Sequence, residues 1–335
     1  MTTSIAVLGD GAMGTACALV LAKKPQNRVT LWSAREENGR RLQAKRENVN
    51  LLPGIVIPET IQLTLDIEQA LDQAALVVVA IPTVYLRTTL VKVTPFLQSN
   101  ACPIVSTVKG LEVDTFLRPT EVMLELLGPR SISVMSGPGH AEEMARGKPT
   151  SLVVASRDAE LAQRVQIVFS NERFRLYTNK DVVGIELAAA LKNVIALAAG
   201  ISDGLGFGDN AKSALMTRAL VEMIRFGLAH QAEQATFFGL AGIGDLITTC
   251  VSPHGRNRWV GEQIGRGLSL QAILNQMVKV AEGVNTARSV YQRAQRLQLE
   301  MPISTEVYRV LYEGKSPLQA VEDLMMRDLK SESIG

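Results

Sequence analysis

The sequence predicts an α/β protein: an N-terminal, mainly parallel, doubly wound sheet followed by an all-α C-terminal domain. Three observations predict it. Short apolar or β-branched runs alternate with Ala/Leu-rich stretches through the first half, a glycine-rich turn joins the first run to the first stretch, and strand-like runs cease after Asp181.

The elements follow in order. Residues 4–8 form an apolar run of strand length, glycines follow, residues 12–23 are Ala/Leu-rich, and β-branched residues return at 28–32, which reads as strand, turn, helix, strand. Further buried strands are expected at 76–81, stopped by Pro82, and at 104–108, 132–135, 152–155 and 174–177. Beyond Asp181, residues 182–201, 210–231 and 270–277 carry helical periodicity. The boundary is placed near 179–183, giving domains 1–181 and 182–335.

Composition bounds the function. A chain of 335 residues with 47% hydrophobic and 20% charged content buries a large core and exceeds the usual single-domain size. Its 35 basic and 33 acidic residues leave a net charge of +2, too balanced for a protein that coats nucleic-acid phosphates. Small molecules or other protein chains are the expected partners. Cys17, Cys102 and Cys250 are odd in number and widely separated, matching neither a disulfide framework nor a metal-ligand spacing, so no metal is expected and a reducing cytoplasm fits. The N-terminus has no signal-peptide character, and the most apolar segments are short or interrupted by Lys192 and Asn193, so a soluble chain without a membrane span is expected. Apolar helices in the second domain make a homodimer plausible. The basic cluster Arg40, Arg41, Lys45 and Arg46 is interleaved with Glu36, Glu37 and Glu47 and reads as a solvated helix face.

The turn after the first strand reads Gly9-Asp10-Gly11-Ala12-Met13-Gly14, with GxGxxG spacing. Gly9 permits the tight turn, Gly11 lets backbone approach a pyrophosphate, and Gly14 lets helix pack on strand. The helix N-terminus offers its N–H groups and positive dipole to phosphates. Alone this spacing is a weak signal; between a strand and an Ala-rich helix, with a second strand beyond, it predicts a Rossmann-type dinucleotide site. At the end of the second strand, where an acid would bind an unphosphorylated ribose, the sequence reads Trp32-Ser33-Ala34-Arg35. Arg35 suits a 2′-phosphate, so NADP is expected in preference to NAD, although Glu36 and Glu37 follow.

Lys192 stands among Ala188, Ala189, Ile195 and Ala196, its neighbours three and four positions away on a helix. A surface lysine shares its face with polar residues; this one reads as presented into a closed cleft, for proton exchange, and the alternative is a snorkelling side chain. Glycine-rich polar loops follow the same logic: Ser136-Gly137-Pro138-Gly139-His140-Ala141, Asp203 to Asn210, Gly239 to Asp245, and Gly255-Arg256-Asn257-Arg258. Arg256 and Asn257 suit a phosphate. His140 is a weaker acid-base candidate than Lys192.

These residues together resemble the bacterial-type NAD(P)-dependent glycerol-3-phosphate dehydrogenases. The similarity runs from Gly9-Asp10-Gly11 through Val108-Lys109-Gly110-Leu111-Glu112, Ser136-Gly137-Pro138, Gly184-Ile185-Glu186, Ala190-Leu191-Lys192-Asn193, Gly208-Asp209-Asn210-Ala211-Lys212, Gly242-Ile243-Gly244-Asp245-Leu246, Arg256-Asn257-Arg258 and Glu282-Gly283 to Met301-Pro302-Ile303. The resemblance implies interconversion of dihydroxyacetone phosphate and sn-glycerol 3-phosphate for glycerophospholipid synthesis. It implies that Lys192 is the proton donor and acceptor, and that Lys109 contacts both substrate and cofactor. It further implies that Asp245 supports the substrate site, with Gly137, Gly139 and Gly255 at substrate positions, and that Arg256 and Asn257 hold the substrate phosphate. Gly9, Gly11, Ala12, Met13, Gly14, Arg35, Ala141, Arg256, Val280 and Glu282 fall at cofactor positions by the same likeness. The chain departs from the family pattern at Met13, where an aromatic residue is common, at Gly139, where Ser or Thr is usual, and at Gly255, where Ser is usual. Two rival readings are a ketopantoate reductase-like enzyme on the same plan, which needs no phosphate site at Arg256 and Asn257, and a non-catalytic dinucleotide sensor.

Overall fold

The computed structural model describes residues 2–98, 101–277, 280–329 and 331–332. It divides into two compact units, one of 1–109 and 117–186, the other of 110–116 and 187–335. The sequence expectation put the division at 181/182. In the structure it falls inside a continuous helix, and a short earlier segment also belongs to the second unit.

The first unit is built on strands β1 (Thr3–Leu8), β2 (Asn27–Trp32), β3 (Ile61–Thr64), β4 (Leu76–Val79), β5 (Ile104–Ser106), β6 (Ile132–Ser136), β7 (Thr150–Ser156) and β8 (Phe174–Asn179). They form one sheet in the order β3-β2-β1-β4-β5-β6-β7-β8. Every neighbouring pair is parallel except β6 and β7, which run antiparallel with Val134 opposite Ala155. The first six strands have the two-halved order whose switch point lies between β1 and β4, where ligands of such sheets bind beyond the strands' carboxyl ends. Strand β3 has no counterpart among the expected strands.

The central strands are apolar at consecutive positions because both faces are covered. Ile5 and Val7 join Val29, Leu76, Val78 and Val105 in one core. Ala6 and Leu8 join Val77, Val79 and Ile104 in the other. Helices α1 (Ala12–Leu21), α2 (Glu36–Lys45), α3 (Ile67–Leu71), α4 (Thr83–Gln98), α5 (Pro119–Leu127), α6 (Ala141–Ala145) and α7 (Ala159–Phe169) connect the strands. Leucines 86 and 90 of α4 and Val122 and Met123 of α5 close one face, while Ala16, Cys17 and Val20 of α1 and Val165 and Phe169 of α7 close the other.

Helix α8 (Val182–Gly204) crosses the division, and the second unit continues with α9 (Asp209–Leu228), α10 (Gln234–Phe237), a π-helical turn at Leu240–Gly244, α11 (Asp245–Val251), α12 (Arg256–Gly265), α13 (Leu270–Asn275), α14 (Glu282–Arg296), α15 (Pro302–Tyr312) and α16 (Pro317–Met325). With 23 residues, α8 is long and apolar enough to cross a membrane, but 94% of its most apolar window is buried inside the protein. Residues Ala188 to Leu191 and Val194 to Leu197 are all fully buried, as befits a core helix apolar on every side. The second segment of such length, Gln234–Val251, is broken at Gly242, whose backbone is non-helical.

Helix α12 crosses α8 at backbone contact. A Cβ at Gly200, Gly204 or Gly261 would fall on the facing carbonyl oxygen of Arg258, Glu262 or Leu197, and one at Gly265 would lie 2.5 Å from that of Ile201. The i,i+4 glycines of each helix therefore form a slot for the other, and the first residues of α12 are carried against the middle of α8.

Candidate active site

Each unit carries one group of the residues singled out from the sequence. In the first unit, Gly9 leaves β1 with φ of 112°, in the region that favours glycine, and a Cβ there would meet the Ala80 carbonyl oxygen at 2.7 Å. Ala80 follows β4, so Gly9 sits at the switch point. A Cβ at Gly14 would fall on the Gly9 carbonyl oxygen, which is why the helix can follow the strand so closely. Gly11 differs: a Cβ there would meet nothing within 4 Å, so its backbone faces open space. It is also the N-cap of α1, without a side-chain cap, and the first turn holds no acidic residue. The unbonded N–H groups of that turn are thus offered to an outside acceptor. This cradle fits the pyrophosphate of a dinucleotide. Ala12 and Met13, the first residues of α1, pack their side chains against the core.

Arg35 is the N-cap of α2, and its guanidinium lies over the Tyr85 ring at 5.2 Å from the centroid. Both are exposed at the surface. Lys109 follows β5 and donates from Nζ to the Gly137 carbonyl oxygen beyond β6 at 3.1 Å, so two expected substrate positions meet. Gly139 lies two residues on, and Ala141 starts α6, buried in the core shared with α1. His140 caps α6 through its backbone.

In the second unit, the Lys192 side chain is 6% exposed and the Asp245 side chain 3%, with Nζ 3.0 Å from Oδ1. Nζ also donates to Thr249 Oγ1 at 2.7 Å. Asp245 and Thr249 stand one turn apart on α11, so one helix face presents both partners. The lysine is buried and ion-paired, not snorkelling. Beside it, Asn193 donates back to the Ala189 carbonyl oxygen at 3.1 Å and accepts from Asn257 Nδ2 at 2.9 Å. Asn257 Oδ1 accepts from the Gly283 N–H at 3.0 Å. Arg256, exposed, donates to the Val280 carbonyl oxygen at 2.7 Å. Glu282 is the first residue of α14. Asn257 thus bonds Asn193 and Gly283, the chain neighbours of Lys192 and Glu282, while Arg256, beside Asn257 in the chain, bonds Val280. Arg258, next in the chain, is held by Asp203 at 2.7 Å, which Lys212 also contacts at 2.5 Å.

Residues 4–162 match the family model described as the NAD-dependent glycerol-3-phosphate dehydrogenase N-terminus, and residues 181–322 match the corresponding C-terminus. A glycerol-3-phosphate dehydrogenase [NAD(P)+] from Chlorobium phaeobacteroides is 46% identical over 331 residues, 98% of each chain. The chain belongs to the NAD(P)-dependent glycerol-3-phosphate dehydrogenase family. In three dimensions it is similar to the glycerol-3-phosphate dehydrogenase of Coxiella burnetii, with TM-score 0.93 and 35% identity over 97% of this chain and 99% of that one. A ketopantoate reductase from Ralstonia eutropha shares the fold alone, with TM-score 0.61 and 15% identity over 95% of this chain and all of the other.

The two glycines at which family likeness leads to an expectation of a hydroxyl residue have different surroundings. A Cβ at Gly139 would lie 2.9 Å from Leu152 Cδ2 and 3.2 Å from Met144 Sδ, both on side chains that can move. At Gly255 it would meet the Thr249 carbonyl oxygen at 2.8 Å and that of Ser252 at 3.2 Å, a backbone enclosure. The sequence assigns no role to Thr249, whose place four residues after Asp245 acquires meaning only with Lys192 opposite, or to Asn193, whose partner Asn257 is distant in the chain.

Proposed function

We propose that this chain interconverts dihydroxyacetone phosphate and sn-glycerol 3-phosphate with a nicotinamide dinucleotide, NADP or NAD, in the cytoplasm, supplying glycerophospholipid synthesis. The observation that carries the reading is the buried Lys192–Asp245–Thr249 cluster next to the Asn193–Asn257 pair. The dinucleotide, when bound, supplies or removes the hydride. Gly9, Gly11 and the first turn of α1 would hold its phosphates. Ala12, Met13, Gly14, Arg35, Lys109, Ala141, Arg256, Val280 and Glu282 are assigned to it by family likeness.

As the carbonyl carbon is reduced, its oxygen takes on negative charge. The Lys192 ammonium stabilises that charge and gives up a proton; in the reverse direction the amine takes the proton from the alcohol. Asp245 compensates the buried cation, and the Thr249 hydroxyl accepts a second N–H, so the two fix where Nζ points. Lys109, Gly137, Gly139 and Gly255 are assigned to the substrate, and Arg256 with Asn257 to its phosphate, through charge-assisted and amide hydrogen bonds. The ketopantoate reductase-like reading has no use for that pair. A homodimer through the helical unit is part of the proposal.

The test is oxidation of NADPH and NADH with dihydroxyacetone phosphate, repeated with unphosphorylated dihydroxyacetone and with ketopantoate. The phosphorylated ketone alone should be turned over rapidly. Turnover of ketopantoate, or none of any ketone by a protein that binds the cofactor, would replace the assignment with one of its rivals.

A further inference from the structure

The structure assigns to Asp10 the choice between a phosphorylated and an unphosphorylated adenosine ribose, in opposition to Arg35. The inference rests on the cofactor reading above and adds a residue to it. An acid that reads a ribose 2′-hydroxyl ordinarily stands at the end of the second strand. That place here is Ser33, directly after β2, and it has no charge. Its Oγ instead donates to Asp10 Oδ2 at 2.8 Å. The carboxylate therefore arrives at the end of β2 from the glycine turn rather than from β2 itself.

Asp10 is held in place at every level. Its carbonyl oxygen accepts from Asn48 Nδ2 at 2.8 Å, and Asn48 is buried and also bonds Thr15 Oγ1 at 3.0 Å. Its Oδ2 also accepts from Asn38 Nδ2, whose own Oδ1 accepts from Arg41 Nη2 at 2.5 Å. Both donors to the carboxylate are uncharged, and no cation pairs with it among the described residues. Both bonds fall on Oδ2, and no described group donates to Oδ1. A fixed, half-buried carboxylate with an open oxygen accepts a hydrogen bond from a ribose hydroxyl and repels a phosphate dianion in the same position.

Arg35 acts the other way, from the exposed N-cap of α2. The wild-type chain should then bind NADH and NADPH with little preference between them, because each is favoured by one of the two residues. Removing Asp10 should release the preference for NADPH. Removing Arg35 should release the preference for NADH.

The experiment is calorimetric titration of the purified protein with NADH, NADPH, ADP and adenosine 2′,5′-bisphosphate, for the parent, Asp10→Ala, Asp10→Asn and Arg35→Ala. No ketone is present, so the outcome is independent of which substrate the enzyme reduces. In both Asp10 variants the ratio of the NADPH to the NADH dissociation constant should fall about tenfold, the worth of a hydrogen bond to a charged group. The fragment pair should follow, and Arg35→Ala should move the ratio the opposite way. Asp10→Asn keeps the shape of the side chain and carries the test if Asp10→Ala fails to fold. Equal changes for both cofactors, no change, or no cofactor binding by the parent would overturn the assignment.

Discussion

At Gly255 a hydroxymethyl group separates this chain from the serine that family likeness leads one to expect. Gly255→Ser puts Cβ against two backbone carbonyls that cannot rotate away, so it should destabilise the protein by about 1–3 kcal/mol, read as a lower melting temperature. Gly139→Ser meets only the far ends of Leu152 and Met144 and should be tolerated, with KM for the phosphorylated ketone unchanged or lower. If Gly255→Ser were as stable as the parent and Gly139→Ser were not, the steric account would be reversed. Lys192→Ala should abolish turnover while the dissociation constant for the dinucleotide stays within about twofold; Asp245→Ala should cost stability as well, about 3–5 kcal/mol, because it leaves a buried ammonium without its counter-charge. At this scale the sequence was informative where a residue type clashes with its neighbours. A lysine among alanines and glycines at fixed spacing announce themselves. Thr249, Asn193 and Asp10 do not, because a threonine on a helix or an acid in a turn is ordinary until its partner across the fold is known.

Two elements carry consequences of their own. The α8–α12 slot brings Asn257 to Asn193, so Gly261→Ala, which would push the helices apart, should weaken substrate phosphate binding and lower the melting temperature together. A lower melting temperature with KM unchanged would show that the slot is not what places Asn257. Helix α15 is capped from a distance: the buried Glu222 of α9 accepts from the N–H groups of Ile303 and Ser304 at 2.6 and 3.1 Å and from Ser304 Oγ at 2.9 Å. Burial pushes its carboxyl up to about 7 against the lowering effect of those donors. Because the folded chain binds this proton more tightly than the unfolded one, Glu222 adds stability that is complete below about pH 4.5, its ordinary value, and is lost as pH rises through about 7. The melting temperature should therefore fall between pH 6 and pH 8, and Glu222→Gln should flatten that part of the profile. Strands β1 and β4 were legible because strands covered on both faces are nearly unbroken apolar runs, and β8 because Phe174 and Leu176 alternate with the exposed Arg175 and Tyr177. Strand β3, Ile61–Thr64, was not: four residues at the sheet edge, with Gln62 and Thr64 interleaved, look like a loop.

On the scale of the whole molecule, the three cysteines report on folding rather than chemistry. Burial pushes the Cys17 and Cys250 thiols up to about 12 and raises that of Cys102. None should react with an aromatic disulfide reagent at pH 8 in the native protein, and all three should react in guanidinium; rapid native labelling would contradict the burial. The class of fold could be read from periodicity alone, since alternation of strand and helix dictates a parallel sheet. The division between units could not. Helix α8 runs through it without a break in its apolar pattern, and residues 110–116 have no periodicity to mark them.

That early segment means the polypeptide enters the helical unit twice. A chimera that joins the sheet unit of this chain to the helical unit of another therefore cannot be made with one splice at Glu186. It needs three junctions, with residues 110–116 travelling alongside 187–335. Recombination with fewer crossovers would mix parental sequences inside a single compact body.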